Sequence, residues 1–286
     1  MPANGRHKAA FGPATEYNIL YGYRVGSDAV IEVRNVSKRF GGLLAVSKCS
    51  LSVARGSITG LIGPNGAGKS TLFNMVAGNF PPTSGSILFD GEDITGLAPH
   101  ELFARGMLRT FQIAHEFSQM TALENLMMVP PDQPGESLFN LWFRPGLVGA
   151  REAEVRSKAL DVIDFLKLGH VKNELAGNLS GGQKKLLELG RTMMVDAKVV
   201  LLDEVAAGVN KTLLNDLASN IERMNRELGY TFFVIEHDMD LIARLCDPVI
   251  VMAQGEVIAQ GNMDELRANP MIVEAYFGSP AVEAGP

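Results

Sequence analysis

The run Gly63-Pro64-Asn65-Gly66-Ala67-Gly68-Lys69-Ser70 constrains this chain more than any other stretch. It fits G-x-x-x-x-G-K-[ST], and its context fits too. Ser57-Ile58-Thr59-Gly60-Leu61-Ile62 reads as a buried strand before it, and a helix begins near Lys69. Glycines here let backbone N–H groups turn inward around phosphate oxygens, and the helix adds the positive end of its dipole. In such a turn Lys69 reaches the β- and γ-phosphates of a nucleotide, Ser70 offers its hydroxyl to Mg²⁺, and Thr71 stands at the α-phosphate. The alternative is a glycine-rich turn with a solvated lysine, and the full spacing and context count against it.

A second element reads the same way. Val199-Val200-Leu201-Leu202 is a continuous apolar run, as a central parallel strand requires, and Asp203-Glu204 follows it. Carboxylates at the C-terminal end of a parallel strand face the crevice where ligands bind. Asp203 is placed to hold Mg²⁺ through water, and Glu204 to accept a proton from an attacking water. A lone Asp-Glu is often a solvated strand end; downstream of the phosphate-binding turn it carries more. Leu179-Ser180-Gly181-Gly182-Gln183 reads as a Ser N-cap opening a helix through Leu186, Leu187, Gly190 and Met194. Its exposed N–H groups and hydroxyl make a second phosphate-binding surface, although an isolated Ser-Gly-Gly is more often an ordinary cap.

These three segments, in this order, resemble the ATP-binding subunit of an ABC transporter: Walker A, the LSGGQ signature and Walker B. The resemblance implies an α/β fold. It has a P-loop NTPase core with a mainly parallel sheet, an N-terminal antiparallel β subdomain and an inserted α-helical subdomain at about 113–196. It also implies a site shared by two chains. ATP and Mg²⁺ lie at the phosphate-binding turn of one chain, and Ser180, Gly181, Gly182, Gln183 and Asn210 meet that ATP from the other. Phe40 resembles the aromatic that stacks on adenine, with a core or loop ring as the alternative. Gln112 resembles the glutamine that meets Mg²⁺ and the attacking water. His237 resembles the histidine at the γ-phosphate, and Ala207-Gly208-Val209-Asn210 the loop that crosses between subunits.

Other strings are similar to the ATP-binding subunits of branched-chain amino acid importers. They are Arg109-Thr110-Phe111-Gln112, the long insert before LSGGQ, Leu186-Leu187-Glu188-Leu189-Gly190-Arg191, Glu236-His237-Asp238-Met239 and Val273-Glu274-Ala275-Tyr276-Phe277-Gly278. Urea or amide importers of the same group look much the same. Three positions depart from the family. Val205 and Lys211 stand where proline is usual, and Ser70 stands where threonine is commoner.

The chain has 286 residues and a formal net charge of -6, with no Lys/Arg block, which argues against nucleic acid as the partner. Cys49 and Cys246 belong to no CxxC or Cys/His cluster and read as reduced core residues. No apolar run reaches the ~18 residues a spanning helix needs, and Met1 to Ser27 hold no continuous apolar secretory segment. Action at a membrane therefore needs partners. The resemblance implies permease subunits, a second ATPase chain (identical or a paralogue), indirectly a solute-binding protein, and a peripheral place on the cytoplasmic face.

Residues 1–28 read as an extension, 29–278 as the ATPase domain and 279–286 as a tail. Strands are expected from Ala29 and over Val46–Val53 and Ser86–Phe89. Helical character is expected from Pro99 to about Asp196, interrupted by an irregular, proline-containing stretch from Pro130 to Gly149. The helical lobe, with the groove near Gln112 and the Pro130 to Gly149 insert, is the expected permease-docking surface. Three rival readings are an exporter motor, an ABC-type ATPase outside transport, and a non-catalytic nucleotide-binding scaffold. The single acidic domain lacks the additions of non-transport ATPases, and Lys69, Glu204 and His237 are all present.

Overall fold

The computed structural model describes residues 28–109, 116–131, 133–206 and 209–270, together with Ile272. Gln112, Ala207, Gly208, nearly all of the expected N-terminal extension and the whole tail after 278 lie outside the described residues.

Two sheets form the frame. In the first, β1 (Ala29–Phe40), β2 (Leu43–Ala54), β4 (Ser84–Phe89) and β5 (Glu92–Asp93) run antiparallel in the order β2-β1-β4-β5. The second has six strands in the order β10-β9-β3-β8-β7-β6. These are β3 (Ile58–Ile62), β6 (Met107–Arg109), β7 (Val199–Asp203), β8 (Phe232–Ile235), β9 (Val249–Ala253) and β10 (Glu256–Gly261). All are parallel except β10, which returns antiparallel along β9.

The apolar strands of the second sheet bury both faces, because consecutive side chains point to opposite sides. Leu61, Val199, Leu201, Phe233, Ile235, Ile250 and Met252 enter a core shared with the antiparallel sheet and with α1 (Lys69–Val76). Ile62, Val200, Leu202, Phe232, Val234, Val249 and Val251 enter a second core. That core is closed by α7 (Lys211–Leu228) and α8 (Met239–Leu245), by the helices between β6 and β7, and by α9 (Met263–Ala268). The sheet is thus the middle layer between two apolar layers.

Between β6 and β7 the chain is helical, with α3 (Ala122–Met127), α4 (Leu138–Phe143), α5 (Pro145–Phe165) and α6 (Gly181–Met193). A Cβ on Gly190 would stand 2.8 Å from Leu166 and 3.2 Å from Leu126, so α6 approaches α5 and α3 closely only because this residue has no side chain. Fully buried Asn125 ties down the turn before α3. Its amide donates to the carbonyls of Phe117, Met120 and Thr121, and its Oδ1 accepts from Phe117 N–H.

Two expectations are corrected. The stretch from Pro99 is not simply helical: α2 (Pro99–Ala104) leads into the strand β6, which pairs in parallel with β7. Nor is Pro130 to Gly149 simply irregular. It holds a short 3-10 turn at Pro134–Glu136, all of α4 and the start of α5. Pro134 and Pro145 occupy first helical positions, where proline's missing N–H and fixed φ do no harm. Cys49 and Cys246 are buried free thiols, pushed up to about 12 chiefly by burial.

Candidate nucleotide site

The site is built on three neighbouring strand ends. β8 lies between β3 and β7, so the turn after β3, Asp203-Glu204 after β7 and His237 after β8 emerge at the same, C-terminal edge of the sheet. This is the edge at which open α/β sheets bind ligands.

The turn Gly63–Ser70 requires its glycines. Gly63 has φ 155, and a Cβ there would come within 2.1 Å of the Met252 carbonyl oxygen. Gly68 has φ 96, and its Cβ would meet the Ala45 carbonyl oxygen at 2.6 Å. The turn is thereby pressed against β9 on one side and β2 on the other. Pro64 O accepts from Ala67 N–H, and Gly68 caps α1. Asn65, Gly66 and Ser70 are exposed, and Thr71 is half-buried.

Lys69 is only 5% exposed, although it is charged. Its Nζ donates to the carbonyls of Gly63 (2.7 Å) and Pro64 (3.0 Å), so the ammonium lies within the turn it stems from. Burial holds it below the usual lysine range, and the negative Glu204 partly offsets this. That coupling places the two functional segments in one electrostatic site.

Glu204 has φ 49, uncommon for a residue with a side chain and a local cost of about 1–3 kcal/mol. Its N–H donates to Ile235 O, which locks the strand end to β8, and its Oε1 lies 3.0 Å from His237 Nε2. Glu236, 2% exposed, accepts from Ala206 N–H through Oε1 and from His237 N–H through Oε2. Burial pushes its carboxyl above the usual range, and those two donors oppose the shift. Glu236 thus fastens the segment after Glu204 to the segment that carries His237.

Asp203 receives a 2.6 Å hydrogen bond and ion pair from Arg109 Nη2, while Arg109 Nη1 donates to Asn74 Oδ1 at 2.7 Å. Arg109 ends β6, and its guanidinium also stands 5.4 Å from the ring centre of Phe73. Sequence reasoning assigned no role to Arg109, Asn74 or Glu236. Arg109 lies in the Arg109–Gln112 string and Glu236 just before His237, but pairings across 94 and 30 positions leave no local pattern.

Phe40 ends β1 with its ring 46% exposed and edge-on to Phe80, centroids 5.6 Å apart. It pairs with Leu43 across the β1–β2 turn. The close approach of Ala45 to Gly68 brings that turn beside the Gly63–Ser70 turn.

Ser180 and Gly181 are exposed at the start of α6. Ser180 Oγ accepts from Gln183 N–H and Gln183 Oε1 accepts from Ser180 N–H, a reciprocal cap that fixes this helix end. Gly182 lies against Leu213 of α7, where a Cβ would stand at 2.6 Å. Exposed Asn210 caps α7 by accepting from Leu213 N–H. Lys211 takes the first helical position, where an N–H needs no partner within the helix, so proline's absence there removes no bond. Val205 is buried in the core shared with the helical lobe. Among the described residues no Cys/His/Asp/Glu cluster suited to a metal occurs, and no helix is long and apolar enough to cross a membrane.

Residues 46–207 match the family model described as ABC transporter. The chain is 40% identical over 254 residues to the probable branched-chain amino acid transport ATP-binding protein LivG of Archaeoglobus fulgidus, covering 87% of this chain and 96% of that one. It is 37% identical to the high-affinity branched-chain amino acid transport ATP-binding protein BraF of Pseudomonas aeruginosa, covering 88% and 99%. Among solved structures, the ADP conformation of MJ1267, an ATP-binding cassette of an ABC transporter, superposes with a TM-score of 0.74 at 38% identity, over 88% of this chain and 99% of that one. By this family match and these identities over most of its length, the chain belongs to the ABC transporter family as one of its ATP-binding, ATP-hydrolysing subunits.

Proposed function

We propose that this chain drives an importer for branched-chain amino acids or related small polar solutes, from the cytoplasmic face of the membrane and through permease subunits. The reading of the solute rests on the relatives' names. We read residues 29–278 as the ATPase domain, with its helical lobe at about 113–196.

The observation that carries the catalytic reading is the contact of Glu204 with His237 beside the buried Lys69. ATP enters with its phosphates against the turn. Lys69 exchanges its two carbonyl partners for β- and γ-phosphate oxygens, and the N–H groups of the turn and of α1 face the remaining oxygens. Phe40 supplies a flat face for adenine. Glu204 takes the proton of the attacking water, and His237 orients that carboxylate and meets the γ-phosphate.

Ser70 and Asp203, joined by Gln112, offer only hydroxyl, carboxylate and amide oxygens. That is the donor set a hard divalent cation takes, so the residues fit Mg²⁺. When bound, Mg²⁺ neutralises charge on the β- and γ-phosphates. Asp203 then has two claimants, the cation and Arg109.

In this reading the second half of the site comes from another chain. Ser180, Gly181, Gly182, Gln183 and Asn210 close over the ATP held by the first, and hydrolysis lets the pair open. A groove of about 1040 Å³ between the sheet core and the helical lobe, lined by Phe103, Leu108, Pro130, Val155 and Met194 among others, suits a permease segment. A solute-binding protein delivers solute to that permease. Lys69→Ala tests the site: ATP turnover is expected to fall by orders of magnitude with the fold intact. Equal rates in mutant and wild type would remove the turn from the mechanism. Uptake of labelled leucine against urea, by the chain reassembled with its permease in vesicles, tests the solute.

A further inference from the structure

We infer that α4 is a membrane-surface anchor whose aromatic face enters the headgroup region of an anionic bilayer. Leu138, Phe139, Trp142 and Phe143 are 76%, 60%, 81% and 71% exposed, and Leu147 at the start of α5 is 49% exposed. A helix of a water-soluble surface turns such residues inward, and α4 does the reverse. Its polar residue Asn140 is half-buried and donates to Pro134 O, while the rings of Phe139 and Phe143 stand together outside, 4.8 Å apart. Gln133 donates to the carbonyls of Met127 and Pro130, and Val148 lies against Gly135, so the approach to the helix is fastened to the lobe. Asn140 is held inward, while Leu138, Phe139, Trp142 and Phe143 stand outward.

Charge close to the aromatic residues bears on the occupant: residues 137–151 contain two arginines and no acidic residue, between Glu136 on one side and Glu152 on the other. Arg151 pairs with Glu154, but Arg144, at the end of α4, makes no ion pair among the described residues and is exposed. Leu, Phe and Trp beside arginine suit an interface where rings sit among acyl chains and cations meet lipid phosphates. The place is right as well. Pro130, Pro131 and Arg151, which bracket the segment in sequence, line the groove assigned above to the permease. The anchor therefore stands at the rim of the proposed membrane-facing contact. The inference rests on that reading of the chain as a transporter subunit.

Trp142 is the only tryptophan, so the native chain carries its own probe. The intact protein is mixed with vesicles of phosphatidylcholine alone or of equal parts phosphatidylcholine and phosphatidylglycerol. ATP turnover is measured on the same samples. With the anionic vesicles, Trp142 emission is expected to shift to the blue, the chain to sediment several-fold more with lipid, and high salt to reverse both. Arg144→Gln should weaken sedimentation. Phe139→Ser with Phe143→Ser should abolish it with ATP turnover unchanged, since neither ring belongs to the nucleotide site. Unchanged emission with both lipids, in a chain that still hydrolyses ATP, overturns the anchor and leaves the ATPase reading standing. So does a blue shift that needs the permease, or one that follows protein concentration without lipid; these assign the face to a permease or to a second copy. Loss of turnover in the unmodified chain counts against the ATPase reading instead.

Discussion

Arg109 grips Asp203 from the neighbouring strand, Nη2 to Oδ2 at 2.6 Å, and anchors itself on Asn74 of α1 with its other terminal nitrogen. One guanidinium thus ties β6, β7 and the helix after the Gly63–Ser70 turn, in a planar fork that lysine cannot reproduce. Arg109→Ala should cost about 1–2 kcal/mol of stability, since it leaves a partly buried carboxylate without its donor. Arg109→Lys should recover less than half. Denaturant midpoints measure this, and an unchanged midpoint in Arg109→Ala would show that the pair holds nothing in place.

The turn's shape depends on a missing Cβ. Gly63→Ala would push a methyl to 2.1 Å from the Met252 carbonyl oxygen. It should destabilise by more than about 1 kcal/mol, with loss of ATP binding. Gly66→Ala meets nothing within 4 Å and strains only its φ of 81. A Gly63 variant as stable as the Gly66 variant would contradict the tight contact with β9.

Phe40 supplies the test for adenine. Phe40→Ala should weaken ATP binding by about 1–2 kcal/mol, and Phe40→Tyr should leave it nearly unchanged. Equilibrium titration with a fluorescent ATP analogue reads both, and wild-type affinity in Phe40→Ala would assign the role to another side chain.

Glu236 makes a pH-dependent contribution. Burial raises its carboxyl above the usual glutamate range, so the folded chain binds this proton more tightly than the unfolded one. Its contribution to stability is complete below the usual glutamate range and is lost as pH rises through the raised value. Glu236→Gln has no such proton. The Tm of the variant relative to wild type should therefore improve as pH rises from the usual glutamate range, and a constant difference would show that the carboxyl does not titrate anomalously.

Much of this site is local in the chain and therefore legible in it. The Gly63–Ser70 spacing, the apolar run before Asp203 and the Ser180–Gln183 cap each declare a strand end or helix start within a few residues. What was not legible is either brief or distant. β6 is a three-residue strand whose partner lies about ninety positions on, too short to show a period. The prolines of 130–149 read as breakers, yet two of them open helical turns. The outward aromatic face of α4 looks in sequence like any apolar stripe, because only the fold shows which side is covered. Glu236 between Ile235 and His237 gives no sign that both its oxygens are engaged.

The central claim is that Glu204 activates the water in an ATP held between two chains. Glu204→Gln keeps the shape and removes the basic carboxylate, so ATP should bind and remain uncleaved. Sizing of this variant in ATP and in ADP, with the paralogous ATPase present if one is needed, tests the claim most directly. The account predicts a stable pair in ATP, separate chains in ADP, and no pair in ATP once Ser180→Arg blocks the second surface. Separate chains in both nucleotides despite tight ATP binding, or ATP cleaved at the wild-type rate, would contradict it.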